Sequence, residues 1–252
     1  MRERFVLVQA CLNGSRRREE HPALPLSPDE IALDASRAVT AGAAALHIHP
    51  RAADGSETLD PRVCDAAVRA VREACPNIPI GLTTGIWIEP DPKRRLALIA
   101  SWATPPDFVS VNLCEPGTPE LCDLMLRRRI RIEAGVWTVG DAQALAALGI
   151  ADQCVRVLVE TQPREPGAAV AEARAIDDEL DKAEIRVPRL HHGEGLATWA
   201  VVEMALDRGH DIRIGLEDTL QLPDGSPARD NAELVEAAVA KVRRRLPGLH
   251  LS

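Results

Sequence analysis

The chain has no tyrosine and only two phenylalanines among its 252 residues. The core must therefore be built from Leu, Ile, Val and Ala, and no aromatic platform is available for stacking the bases of a single-stranded nucleic acid. An excess of basic residues is also missing. The formal net charge is −8 and the pI is near 5.4, whereas nucleic-acid binding ordinarily needs a basic face. A small anionic ligand stays open, since a local arginine cluster can hold one. No apolar run approaches the roughly 18 residues needed to cross a bilayer, so no membrane partner is expected. The six cysteines (Cys11, Cys64, Cys75, Cys114, Cys122, Cys154) contain no Cys-x-x-Cys pair. That spacing excludes a zinc knuckle and offers no disulfide framework, and it suits reduced thiols in a cytoplasmic protein.

What is present is the balance of a globular protein, 46% apolar and 27% charged. The opening MRERFVLVQACLNG is basic and then apolar, but the apolar part is short and RRREEH follows directly, so it reads as a first strand rather than a targeting segment. Eight short β-branched or apolar runs follow one another: FVLVQAC (5–11), ALHIHP (45–50), IPIGLTT (78–84), FVSVNL (108–113), IRIEAGV (130–136), CVRVLVE (154–160), VPRLHHG (187–193) and DIRIGLED (211–218). Helical patterns separate them. The clearest starts at Ser27, with Pro28 in the first turn, Glu30 completing a capping box and Gly42 as the stop; Asp60-Pro61 opens another. Eight strand–helix units of about 30 residues predict an α/β fold, a (β/α)8 TIM barrel filling residues 1–252 as one domain. A doubly wound sheet usually carries a glycine-rich phosphate turn after its first strand, and NGSRRREE is not one.

In such a barrel the chemistry lies at the C-terminal ends of the strands. Alternation puts His47 and His49 on one face of the second strand and Leu46 and Ile48 on the other. With the leucine and isoleucine against the helices, both imidazoles point into the barrel mouth. In the eighth strand Arg213, Gly215 and Glu217 share a face, so Glu217 points inward as well. Strands 8, 1 and 2 are neighbours about 4.8 Å apart, which lets Glu217 meet the histidines. Two imidazoles, one carboxylate and an open position form a catalytic zinc set. Alone, a His-x-His dipeptide is a weak signal. The other histidines read differently. His191 and His192 are adjacent and face opposite ways, so only one can enter a site and one caps or packs; His21, His210 and His250 read as surface residues. RRREEH reads as a solvated loop with scope for anion steering, Glu160 as a strand end, and Gly193 and Gly195 as a weak phosphate signal.

The Asn-Gly turn after the first strand, the HPALPLSPDEIA lead-in to the first helix, AGAAALHIHPR and RIGLEDTLQLPDG…ARDNAELV occur together in one family. From about residue 5 to 245 the chain resembles the β-keto acid cleavage enzymes. The resemblance implies a barrel, commonly tetrameric, holding Zn2+ or another divalent metal. It also implies a reaction in which a β-keto acid and acetyl-CoA give acetoacetate and a new acyl-CoA. It places the metal ligands on His47, His49 and Glu217, the catalytic aspartate on Asp218, its supporting arginine on Arg213, and a strand-5 glutamate on Glu133, which would orient a metal ligand or position the thioester. The family hydroxyls that contact substrate fall on Thr83 and Ser110, with Asn112 beside them. Where the family's best-known member has a carboxylate facing an amino group of its substrate, this chain has Ser15, followed by Arg16, Arg17 and Arg18. That change disfavours an aminated substrate, favours a neutral or anionic one, and points to these arginines as the seat of substrate choice. The segment ETQPREPGAA between strands 6 and 7 is short for the family.

Two other classes fit the sequence less well. An amidohydrolase-type zinc hydrolase usually carries its His-x-His on the first strand and further histidines on strands 5 and 6, which here have none. A non-catalytic metal or CoA-ester binding protein would have no need of Asp218 as a base.

Overall fold

Helix signals and strand runs alternate in the computed structural model as the sequence expects. It describes residues 6–245; Phe5, at the start of the first expected strand, and His250 lie outside the described residues. The strands are β1 (Val8–Cys11), β2 (Ala45–Ile48), β3 (Ile80–Leu82), β4 (Phe108–Asn112), β5 (Arg131–Val136), β6 (Cys154–Glu160), β7 (Arg189–His192) and β8 (Asp211–Ile214). They pair in parallel and in chain order, and β8 returns to β1 to close the barrel. The helices are α1 (Pro28–Ala41), α2 (Pro61–Ala74), α3 (Pro92–Ala100), α4 (Thr118–Arg128), α5 (Val139–Leu148), α6 (Pro166–Lys182), α7 (Thr198–Arg208) and α8 (Asn231–Arg245). Among the described residues none is long and apolar enough to cross a membrane. The Ser27/Glu30 capping box, the left-handed Gly42 stop and the Asp60 cap all form as read from sequence.

Several strands are shorter than expected, and the missing residues are mostly at their C-terminal ends. Thr83-Thr84 and the whole of Gly215–Asp218 lie beyond the strand ends, the latter in a bend and turn. The outward faces (Leu46, Ile48, Ile80, Leu82, Val109, Val111, Ile212, Ile214) are at most 1% exposed and form the core with the helices. The barrel interior is more polar. Gln9 donates to Glu133 Oε1 at 2.9 Å, Arg156 Nε lies 3.5 Å from the same oxygen, and the Arg156 guanidinium sits 5.4 Å above the Phe108 ring. Phe108 fills the place where a side chain at Gly81 would stand, so that glycine admits the ring.

Asn231 ties the seam between β8 and β1. Its Nδ2 donates to Leu12 O (2.8 Å) and to Asp34 Oδ2 (2.7 Å), and its Oδ1 accepts from Leu216 N (2.7 Å), one residue before Glu217. Burial raises the Asp34 carboxyl from 3.8 to about 7, against the lowering effect of the Asn231 hydrogen bond. A carboxyl raised on folding favours the native state while both states are protonated. That contribution fades as pH climbs from about 4 through 7. We expect it to be on the order of 4 kcal/mol, lost between pH 4 and 8. In Asp34→Asn, which keeps the acceptor for Asn231, this part of the slope should vanish when urea midpoints are followed across pH. Parallel pH profiles for the two proteins would contradict the assignment.

Candidate metal centre

Register places the site before any side chain is considered. Cys11 of β1 pairs with His47 of β2, and Gln9 with Arg213 of β8, so the histidines and the end of β8 flank one strand. His47 Nε2 and His49 Nε2 lie 3.0 Å apart; Glu217 Oε1 is 3.5 Å from His49 Nε2, and Glu217 Oε2 is 4.0 Å from His47 Nε2. At 3.0 Å the two imidazole nitrogens either share one proton or face a common cation, and Glu217 Oε2 is buried without a hydrogen-bond partner. A divalent cation with ligands at about 2.0–2.2 Å satisfies all three atoms at once, so the donor set fits the metal that the sequence pattern implies. Burial keeps His47 well below the ordinary imidazole range, which leaves it a neutral donor. Burial opposes charge on Glu217 too, but the neighbouring charges, the Arg213 guanidinium foremost, outweigh it and hold the carboxyl well below its usual value.

Glu217 and Asp218 reach the site together because β8 has already ended. Asp218 N and Thr219 N both donate to Gly215 O, and this tight turn aims consecutive side chains inward where a strand would have sent them apart. Gly14 (φ +53°) lies directly under Glu217; a Cβ there would collide with the Glu217 side chain and would also require a strained backbone. Arg213 clamps the pair: its Nη2 bonds Glu217 Oε1, and its Nη2 and Nε reach Asp218 Oδ1 at 2.9 and 3.2 Å. Asp218 Oδ2 has no hydrogen-bond partner among the described residues.

A cavity of about 270 Å³ opens over this cluster, lined by Ser15, His49, Trp87, Trp137, Glu160, Thr161, Gln162, His192, Glu194, Arg213, Glu217 and Asp218. Some expectations change here. His192 is the inward member of its pair, with Nε2 bonded to Glu160 Oε2 (2.9 Å) and Nδ1 3.2 Å from Asp218 Oδ1. Facing a carboxylate on each side, the ring carries both protons. Burial and the Arg213 charge work against this, but Asp218 and Glu160 prevail and lift its pKa to about 9. Glu160 is therefore part of the site rather than only a strand end. The Gly195 amide is taken by Asp218 O at 2.8 Å, which leaves the phosphate signal without that donor.

The arginines after β1 also end up elsewhere. Arg16 donates to Leu216 O and pairs with Glu20, and Arg18 pairs with Glu30. Only Ser15 of that loop lines the cavity, while Arg17 and Arg18 border a neighbouring one. Ser110 alternates with outward residues of β4 and so faces the interior, and Thr83 follows one residue past the end of β3, across the barrel from β7 and β8. Thr83 Oγ1 accepts from Gly85 N, and Asn112 donates to Glu115 Oε1; none of Thr83, Ser110 and Asn112 is among the cavity's lining residues. Glu133 lies fully buried in the barrel, bonded to Gln9 and Arg156, and the carboxylate that touches a histidine ligand is Glu57 instead.

Two surface readings are corrected as well. His21 is buried, bonded to Ala228 O through Nε2. His210 is half-buried beside His191 and Asp177, a second trio whose donor atoms fall within 4.8 Å of one another. There Asp177 already receives Arg189 Nη1 at 3.1 Å and Arg208 Nε at 2.9 Å. Guanidinium charge stands where a cation would, so this trio is an ion-paired clamp on α6, β7 and α7.

Comparison with known proteins identifies the family and the fold. The family model for beta-keto acid cleavage enzymes matches residues 6–246. The 3-keto-5-aminohexanoate cleavage enzymes of Fusobacterium nucleatum and Acetoanaerobium sticklandii are each 24% identical, covering 95% and 94% of this chain and 91% of each relative. Among solved structures, a binary complex of ObcA with oxaloacetate superposes with a TM-score of 0.74 at 18% identity, over 92% of this chain and 65% of that one. A ternary complex of ObcA with a C4-CoA adduct and oxalate gives 0.74 at 20%, with the same coverage. The chain thus spans slightly less than two thirds of ObcA, and at these identities the likeness concerns the fold.

Proposed function

Because this chain belongs to the β-keto acid cleavage enzyme family, we propose that it exchanges acyl groups between a β-keto acid with an uncharged side chain and acetyl-CoA, yielding acetoacetate and a new acyl-CoA. The observation that carries this reading is the convergence of His47, His49 and Glu217 beside an aspartate whose Oδ1 is clamped by Arg213 while its Oδ2 is unpartnered. Relatives lend support: ObcA is found with oxaloacetate and with a CoA adduct.

His47, His49 and Glu217 would hold a divalent metal, which supplies Lewis-acid stabilisation of negative charge on the keto and carboxylate oxygens. Asp218 Oδ2 takes a proton from the carbon between the two carbonyls. That carbon then attacks the acetyl carbonyl; a C–C bond forms and the C–S bond breaks, releasing the CoA thiolate. The thiolate adds to the original keto carbon, and the bond between that carbon and the former α-carbon breaks. Asp218 returns its proton to the carbon of the departing acetoacetate, so atoms and charges balance. Arg213 holds Asp218 in place, and His192 braces the same oxygen from the other side. Glu133, with Gln9 and Arg156, keeps a polar floor beneath Arg213.

The side chain of the keto acid would lie against Trp87, Trp137, Thr161 and Gln162, a wall that is apolar or neutral. Glu160 and Glu194 are already paired, with His192 and Arg164, and Arg213 is committed to Glu217 and Asp218, so among the described lining residues no unpaired cation is left to receive a second carboxylate. A panel of β-keto acids with acetyl-CoA, read as new CoA esters, tests both parts. Neutral substrates should exceed dicarboxylic and aminated ones in kcat/KM by tenfold or more, the scale of about 1.4 kcal/mol. A charged substrate preferred by that factor would overturn the substrate assignment, and no CoA ester from any keto acid would overturn the reaction.

A further inference from the structure

The sequence pattern and the family description leave Glu57 without a role, yet it makes the shortest contact to a histidine of the site. It lies on the excursion between β2 and α2, which doubles back through an antiparallel bridge between Arg51 and Glu57 around Gly55 (φ +83°). The buried Arg51 guanidinium fastens this hairpin to the chain after β1 by donating to Gly14 O, Arg16 O and Gly55 O. Glu57 is thereby held with one oxygen on each of two donors. Oε1 is 2.5 Å from His49 Nδ1, and Oε2 accepts from Trp87 Nε1 at 3.0 Å. The indole stacks over the same imidazole, with centroids 6.4 Å apart and planes 23° from parallel.

We propose that Glu57 is a positioning residue that fixes His49 as the Nδ1–H tautomer, presents Nε2 to the metal, and couples metal loading to the Trp87 wall of the substrate cavity. The inference rests on the metal reading given above. A carboxylate offers only acceptors and an indole N–H only a donor, so Glu57 accepts from both His49 Nδ1 and Trp87 Nε1, and with Nδ1 carrying that proton Nε2 is the nitrogen that can give its lone pair to a cation held with His47 Nε2 and Glu217. Without Glu57 the ring loses the partner that sets both its tautomer and its rotation, and Trp87, 47% exposed at the mouth, loses its tether. His47 has no comparable anchor, since its Nδ1 has no hydrogen-bond partner among the described residues. Orientation of the pair therefore depends on Glu57.

Zinc affinity measured by chelator competition, with tryptophan emission recorded in the same titration, tests this without recourse to turnover. Glu57→Ala should weaken zinc binding by about 10–100-fold and abolish the emission change. The melting curve of its metal-free form should stay that of the parent, because Glu57 serves a rim hairpin and not the core. Glu57→Gln supplies one oxygen for two donors and should fall between parent and alanine. Trp87→Phe keeps the carboxylate on His49 and should hold its zinc within threefold. Tight zinc binding by the parent that Glu57→Ala leaves unchanged overturns the inference alone. Absence of zinc binding by the parent, matched by His47→Ala, overturns the metal reading and the inference with it.

Discussion

Asp218→Asn is expected to bind its metal as tightly as the parent protein and to lose turnover by about 10²–10⁴-fold, the usual share of a positioned general base. The two effects separate because Asp218 is not among the three convergent donors; its Oδ1 meets Arg213 and His192, and its Oδ2 is left for the substrate proton. An asparagine can still turn its carbonyl oxygen to Arg213, so the clamp on β8 survives. The amide nitrogen then stands where Oδ2 was and cannot accept a proton. Loss should appear in kcat rather than in KM, since the substrate oxygens are held elsewhere. Near-normal turnover in this variant would remove Asp218 from the role of base.

The double variant His47→Ala/His49→Ala should lose the metal outright and with it all measurable acyl exchange. Each imidazole contributes one of the three donors, and Glu217 alone, already drawn to Arg213, makes a poor site. The fold should persist, because the neighbouring core positions Leu46 and Ile48 face outward and are untouched. Stoichiometric metal in the purified double variant would contradict the ligand assignment. Treating the parent with a chelator should reproduce the loss, and added divalent metal should restore activity to the parent only.

How much of this was legible in the sequence depends on how each residue is placed. The barrel was legible because capping boxes such as Ser27/Glu30 and alternating runs such as ALHI are local devices, and each forms as read. The histidine pair was legible for the same reason. Glu217 was found by alternation along a strand that in fact stops at Ile214, so the right inward direction came from a turn rather than a pleat. Alternation could say that only one of His191 and His192 enters the barrel, but not which, since both neighbours of a short strand are apolar or small. Arg16 to Arg18 looked like a substrate patch because their partners, Leu216 O, Glu20 and Glu30, are fixed by the tertiary path of the loop. Glu57 was beyond reach for a similar reason. Ala-Asp-Gly predicts a turn, but only the bridge to Arg51 returns Glu57 to the imidazole eight residues before it.

Isotope tracing tests the central claim, acyl exchange rather than hydrolysis, most directly. With acetyl-CoA carrying ¹³C in both acetyl carbons and an unlabelled neutral β-keto acid, the account predicts that both labelled carbons appear in acetoacetate and none in the new acyl-CoA. Unlabelled acetoacetate, labelled free acetate, or cleavage of the keto acid without any new CoA ester would contradict it.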